Sequence, residues 1–295
     1  MSRNGMVTIL GRPNVGKSSL LNALLKKKVS IVSHKPQTTR HRIQGVLHHE
    51  GGQIVFVDTP GLHRETKKAL NRAMNKAASG AISDVDVILF VVEACRWTDE
   101  DAAVLEKLTN VEVPVGLVVN KVDLIPDKEK LLPELEVHLK RRDFAFIVPV
   151  SASKKDNLDA LKEELLKRMP EAEPMYPPEL DVGHSKGFTV AELIREKIIR
   201  NLHQELPYAT TVTVENYKRD GNLDRIDAVI WVEREGQKKI VIGKGGASLK
   251  LIGTSARREL EKMLDRKIML RLWCKVKENW SDDALSLKRF GLTPD

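Results

Sequence analysis

Residues 87–92 and 113–119 are apolar throughout, with no polar alternation. A strand that shows one face to water alternates, whereas a strand covered on both faces does not. The two runs therefore predict buried strands of a mostly parallel sheet, the second extending to residue 120. Shorter apolar runs predict further strands at 6–10, 43–49, 54–58 and 146–150. Between them, helical periodicity falls at 17–25, 66–82, 100–108, 128–140 and 157–168. Strands alternating with helices predict an α/β doubly wound domain over residues 1–169.

The pattern then breaks. Pro170, Pro174, Pro177 and Pro178 put four prolines in nine residues, which no helix continues through. A linker is expected over 170–187, a second domain over 188–280 and a tail over 281–295. Within 190–206 the apolar positions Leu193, Ile194, Ile198, Ile199 and Leu202 recur at helical spacing. β-branched alternation follows at 210–217 and 225–233. An apolar-glycine turn, a helix at 249–264 and a strand at 268–276 complete a smaller α+β domain.

Charge sharpens this division. The formal net charge is +8, yet residues 234–277 alone hold 13 Lys/Arg against 4 Asp/Glu, or +9. Such a local excess is either a solvated basic face or the footprint of a polyanionic partner. Cys95 and Cys274 stand far apart, in no metal or redox spacing, so a reducing cytosol is the expected compartment. No apolar run approaches the ~18 residues that span a bilayer. The apolar stretch at 7–10 is too short for a signal peptide.

The chemistry starts at the end of the first strand. Gly11-Arg-Pro-Asn-Val-Gly16-Lys17-Ser18 fits G-x-x-x-x-G-K-[ST], between an expected strand and an expected helix. Backbone N–H groups there face phosphates, including that of Val15. Lys17 supplies a cation for the β- and γ-phosphates, and Ser18 a hydroxyl for Mg²⁺. Asp58-Thr59-Pro60-Gly61 ends another apolar strand: Asp58 can hold a Mg²⁺-bound water, and the Gly61 N–H can meet the γ-phosphate. Asn120-Lys121-Val-Asp123 ends the most hydrophobic strand. A carboxylate at Asp123 accepts from both N1–H and the exocyclic amine of guanine, a donor pair that adenine lacks. Ser151-Ala152-Ser-Lys154 follows the last strand, where a backbone N–H can meet guanine O6.

These motifs in this order resemble the Era family within the translation-factor-related GTPases. The likeness extends to Pro36-Gln37-Thr38-Thr39-Arg40-His41-Arg42, to Leu62-His63 after Asp58–Gly61, and to Asn75-Lys-Ala-Ala78. It covers essentially the whole chain. The resemblance implies GTP hydrolysis with Lys17, Thr39 and Gly61 in catalytic contacts, and phosphates and Mg²⁺ bound by residues 11–19, Ser19 included. It implies a first switch at 35–42 whose threonine meets Mg²⁺; Thr39 takes that role here, with Thr38 as the alternative. Ras-like GTPases orient water with a glutamine where this chain has Leu62, so intrinsic turnover is expected to be slow. In related GTPases an asparagine placed like Asn14 helps hold K⁺, with switch carbonyls near residues 33–37. The plainer reading is that Asn14 tolerates a left-handed turn.

In the second half, Ile242-Gly243-Lys244-Gly245-Gly246 carries the Gly-x-x-Gly loop by which KH domains clamp four nucleotides. Lys244 adds a counter-charge and Lys250 a second one. Ile242, Leu249 and Ile252 are expected to line a groove for unstacked bases. Element order matches the second KH topology. Trp273 and Trp280 are candidates for base stacking, but Trp273 lies in an alternating strand and is expected in the core. The resemblance implies that the RNA is the 3′ end of small-subunit (16S) ribosomal RNA, that the role is 30S assembly, and that the chain associates peripherally with the inner membrane face. Two rivals stand beside this reading: a signalling GTPase with a protein partner, and an RNA-binding scaffold whose nucleotide domain never turns over.

Overall fold

The computed structural model describes residues 2–33, 35, 38–41, 43–58, 69–80, 85–177, 185–202 and 206–292. Its contacts divide the chain into two compact units, Met1–Arg64 with Met74–Gly183, and Glu65–Ala73 with His184–Asp295.

The first unit contains β1 (Arg3–Leu10), α1 (Lys17–Leu25), β2 (Ile43–His49), β3 (Gly52–Asp58), β4 (Val87–Glu93), α3 (Asp99–Lys107), β5 (Val115–Asn120), α4 (Leu131–Leu139), β6 (Phe146–Val150) and α5 (Leu158–Leu166); α2 (Ala69–Gly80), between β3 and β4 in sequence, is divided, Ala69–Ala73 grouping with the second unit and Met74–Gly80 with the first. The sheet order is β2-β3-β1-β4-β5-β6. Only the β2–β3 pairing is antiparallel. The uniform apolarity of β4 has a direct cause. Val87, Leu89 and Val91 pack with α1 and α5 on one face, while Ile88, Phe90 and Val92 pack with Val104 and Leu108 on the other. Because the strands are parallel, the loops after β1, β4, β5 and β6 leave the sheet on one edge, where ligands of such sheets bind.

The helix expected over 128–140 divides into a 3₁₀ turn, Lys128–Lys130, and α4. Residues 170–177 of the proline-rich stretch are laid against the first sheet. Asn4 N–H donates to Pro170 O at 3.0 Å and Ala172 N–H to Ser2 O at 3.3 Å. The Gln53 amide exchanges two hydrogen bonds with the Tyr176 backbone, at 2.7 and 3.1 Å.

The second unit runs α6 (Lys186–Asn201), β7 (Thr211–Asp220), β8 (Leu223–Val232), α7 (Glu235–Ile242), α8 (Ala247–Leu264), β9 (Lys267–Val276) and α9 (Ala284–Arg289). Its sheet order is β7-β8-β9, with β7–β8 antiparallel and β8–β9 parallel. The helices cover one face, where Ile194, Ile198, Ile226, Ile230, Ile252 and Leu260 form the core. α7 corrects the sequence reading, which expected only a turn there. Gln237 reaches back to accept from the N–H groups of Glu233 and Arg234, at 2.8 and 3.0 Å, and so starts this helix. The described part of the tail, to residue 292, packs onto this unit. Trp280 is fully buried and donates to Ala209 O at 3.1 Å, with the Phe290 ring 5.6 Å away.

Candidate functional site

The loop after β1 bends into α1 through Gly16, whose φ is 101°. A Cβ on Gly16 would lie 2.3 Å from Asn120 Nδ2, so both the bend and the close approach require glycine. Asn14 is exposed at φ 66°, the left-handed conformation that asparagine tolerates. The Lys17 ammonium turns back into the loop and donates to Gly11 O and Arg12 O, each at 2.8 Å. Burial lowers its pKa to about 8, opposed by the Asp58 carboxylate.

One turn on, oxygen atoms collect. Ser18 Oγ lies 2.9 Å from Thr39 Oγ1 and donates to Asp58 Oδ2 at 3.0 Å; Ser30 Oγ donates to the same carboxylate oxygen at 3.0 Å. Thr38 instead pairs with Ser33 Oγ at 2.5 Å and Lys35 O at 2.7 Å. Thr39 is thus the threonine that faces Ser18. Hydroxyl and carboxylate oxygens so grouped are the hard donor set that suits Mg²⁺. Ser30 carried no sequence signal; Asn22 holds its loop by accepting from the N–H groups of Val29 and Ser30, at 2.8 and 3.0 Å. Thr59, Pro60, Gly61 and Leu62 lie outside the described residues.

At the far end, Asp123 accepts from Ser151 Oγ at 2.5 Å and Ser153 Oγ at 3.0 Å. The hydroxyl of Ser151, foremost, holds its pKa below the usual carboxylate value. Asn120 is a strut: Nδ2 donates to Val15 O at 2.8 Å and Oδ1 accepts from Ala152 N–H at 3.1 Å. It ties the phosphate loop to both base-side loops. One cleft of about 420 Å³ is lined by Asn14, Gly16, Lys17, Ser18, Ser19, Thr38, Thr39, Asn120, Lys121, Asp123 and Ala152 among others.

A buried ion network beneath this cleft escaped the sequence reading. Arg12 Nε donates to Asp101 Oδ2 at 2.9 Å, and its NH2 to Glu93 Oε2 at 3.0 Å. Lys121 Nζ meets the same Glu93 oxygen at 3.0 Å. Burial raises the Glu93 pKa, but hydrogen bonds from Lys121 and Arg12 outweigh it and keep the group ionised. Asp101 also accepts from Thr98 N–H and Oγ1, at 2.9 and 2.8 Å, which caps α3. Phosphate loop, base loop and α3 share these carboxylates.

In the second unit, α7 ends at Gly243, whose φ is 72°; a Cβ there would meet Ser248 Cβ at 2.8 Å. Gly245 and Gly246 also have positive φ, and α8 starts directly after them. Lys244 and Lys250 are exposed at this helix N-terminus, whose dipole favours anions. A groove of about 480 Å³ runs on between α8 and β9, lined by Gly246, Leu249, Lys250, Gly253, Thr254, Arg257, Leu270 and Leu272. Ile252 does not line it but is fully buried in the core, and Ile242 sits half-buried at the end of α7. Both tryptophan expectations reverse: Trp280, a stacking candidate, is core, whereas Trp273, expected in the core, is 44% exposed.

Known proteins share both halves. A family model described as "50S ribosome-binding GTPase" matches residues 6–121, and one described as "KH domain" matches 205–281. "GTPase Era" of Xanthomonas oryzae pv. oryzae (strain MAFF 311018) is 54% identical over 289 residues, 98% of this chain and 97% of that protein. "GTPase Era" of Stenotrophomonas maltophilia (strain K279a) is 52% identical over 287 residues, 97% of this chain and 96% of that one. Crystallised Aquifex aeolicus Era bound to GDP·AlF4⁻ superposes with a TM-score of 0.95 at 38% identity, covering 99% of this chain and all of that one. Era in complex with MgGDPNP and nucleotides 1506–1542 of 16S ribosomal RNA superposes with a TM-score of 0.96 at 37% identity, each chain covered in full. With relatives this similar along almost its entire length, the chain belongs to the Era GTPase family.

Proposed function

We infer that this chain binds and hydrolyses GTP with its first unit, and that its second unit binds the 3′ end of 16S ribosomal RNA in assembly of the 30S subunit. The observation that carries the reading is the convergence of Lys17, Ser18, Thr39 and Asp123 on the cleft after the parallel strands, with Asp58 hydrogen-bonded to Ser18. Lys17 sits where the β- and γ-phosphates enter. Asp123, ionised and aimed by two serine hydroxyls, accepts from guanine N1–H and the exocyclic amine. The N–H groups of the loop at 11–16 and of the first turn of α1 wrap the phosphates. Ser18 and Thr39 would hold Mg²⁺ directly and Asp58 through a water. Mg²⁺, when bound, neutralises charge on the β- and γ-phosphate oxygens. Relatives studied in complex with MgGDPNP, 16S RNA nucleotides and GDP·AlF4⁻ support the same assignment.

K⁺ is a finer part of the proposal. Asn14 borders the cleft on the phosphate side, from which its amide oxygen would reach a monovalent ion beside the phosphates. Such an ion acts on charge that develops in the transition state, hence on turnover more than on affinity. Among the described residues no helix is long and apolar enough to cross a membrane, so the membrane association that the resemblance implies would be peripheral.

Single-turnover hydrolysis tests the reading. Wild-type protein should cleave GTP and leave ATP intact, faster in K⁺ than in Na⁺ at equal ionic strength. Asp123→Asn should lose GTP and gain xanthosine triphosphate, because an amide NH₂ opposes guanine N1–H but can donate to the xanthine carbonyl. Equal cleavage of ATP and GTP by the wild type would overturn the base assignment. Equal rates in K⁺ and Na⁺ would remove the ion.

A further inference from the structure

β9 has two faces, and only one is used by the core. Ile268, Leu270, Leu272, Cys274 and Val276 pack toward the helices. Met269, Arg271, Trp273 and Lys275 face the other way; Met269 is 40% and Trp273 44% exposed. Folding alone does not ask for an exposed tryptophan in mid-strand, where a threonine would serve as well.

The neighbours of that ring are arranged. In the parallel register Arg271 lies beside Asp227, and Trp273 beside Val229. Arg271 donates from Nε and NH2 to the two Asp227 oxygens, at 2.6 and 2.8 Å. So gripped, its guanidinium stands 5.6 Å from the Trp273 ring centroid. Next along the face, Lys275 Nζ lies 5.8 Å from the Trp231 ring, which is itself fixed by Nε1–H donation to Thr213 Oγ1 at 2.9 Å. Cations and aromatic rings thus alternate on this face; the Trp231 ring packs against Phe290, 5.7 Å between centroids, which leaves Trp273 as the open position.

β9 is also the edge strand of β7-β8-β9. Leu270 and Leu272, on its inner side, line the groove that continues from the Gly-x-x-Gly loop. Groove and outer face therefore meet at the free edge of a single strand. A chain of nucleotides that fills the groove has the outer face as its next surface.

We propose that the outer face of β8–β9 is a stacking platform for single-stranded RNA, which receives the nucleotides that run past the groove around the edge of β9. The proposal rests on the RNA reading given above. Trp273 offers its ring to a base. Arg271, already held by Asp227, presents a planar cation to the next base or phosphate at little entropic cost. Lys275 adds a phosphate contact. Ring faces and phosphate contacts read no base edges, so this face adds affinity with little sequence preference.

The test uses the full chain, fluorescence anisotropy and two RNAs with the same groove-filling sequence. One has about six nucleotides, enough for the four that this loop type clamps, and the other about sixteen. Wild-type protein should bind the longer RNA more tightly. Trp273→Ala should weaken the longer RNA about tenfold and leave the shorter within about twofold, since one base stack is lost. Trp273→Phe should restore most of the loss, which a purely structural role would not require, because the position is exposed. The longer RNA alone should quench the fluorescence of Trp273, a signal absent in Trp273→Ala. Equal weakening of both RNAs, or no weakening of the longer one, overturns the platform. Wild-type protein that binds both lengths equally overturns it alone; wild-type protein that binds neither overturns the RNA reading with it.

Discussion

At the scale of single residues, Lys17 and Arg12 make opposite use of burial. Lys17 is buried with carbonyl partners, so water no longer supports its charge, and its pKa falls from 10.5 to about 8. A phosphate restores that support. Above about pH 8, GTP binding should therefore take up a proton, and affinity should fall as pH rises. Calorimetry near pH 8.5 in two buffers of different ionisation enthalpy checks this: the apparent heats should differ, and identical heats would contradict the shift. The same shift makes folding stability rise from about pH 8 toward 10.5, because the unfolded chain keeps its proton longer. Arg12, by contrast, is buried against carboxylates: Asp101 and Glu93 grip separate nitrogens of its guanidinium. An ammonium cannot span both. Arg12→Lys should destabilise the first unit by about 2 kcal/mol, since a buried carboxylate is left poorly paired. Urea unfolding followed in the first unit measures this; an unchanged midpoint would show that the network does not bear on stability. No sequence signal announced Arg12. It occupies a free position of the phosphate-loop motif, and its partners lie 81 and 89 residues away.

At the scale of elements, the Gly-x-x-Gly turn links α7 to α8, and its glycines would let the backbone approach a phosphate. Replacing both Lys244 and Gly245 with Asp puts two carboxylates at that turn, at an exposed place outside the core. Single-stranded RNA affinity should fall by tenfold or more, and GTP affinity should stay unchanged. A filter-binding assay beside a GTP titration reads both; RNA affinity that survives the change would remove the clamp from the account. What was legible here depended on how many faces each element buries. β4 and β5 declared themselves because both of their faces are covered. α7 did not, since Ile240-Val241-Ile242 before a glycine looks like a strand end, and its start is set by one glutamine side chain. Trp273 was expected in the core and is exposed, because alternation gives a period of two but not which parity faces inward. The packing of Ile268 against the helices decides that, and it places every odd-numbered residue of β9 outside.

At the scale of the whole molecule, one chain joins the cleft proposed for guanine nucleotide to the basic groove proposed for RNA, each built on its own sheet and core. The division was visible in sequence as a change from βα alternation to α+β order, marked by four prolines. The strap that residues 170–177 form along β1 and β3 was not, because Asn4 and Gln53, which hold it, look like ordinary surface polar residues until burial leaves each about 1–2% exposed. The account's central claim is that this GTPase acts on the 3′ end of 16S ribosomal RNA. Crosslinking the full chain to total RNA in the presence of GTP or GDP, then mapping the attached nucleotides, tests it most directly. Crosslinks should concentrate at the 3′ end of 16S RNA, in nucleotides that meet residues 243–250, and should be stronger with GTP than with GDP. Crosslinks scattered over RNA without enrichment there, at equal strength with either nucleotide, would contradict it.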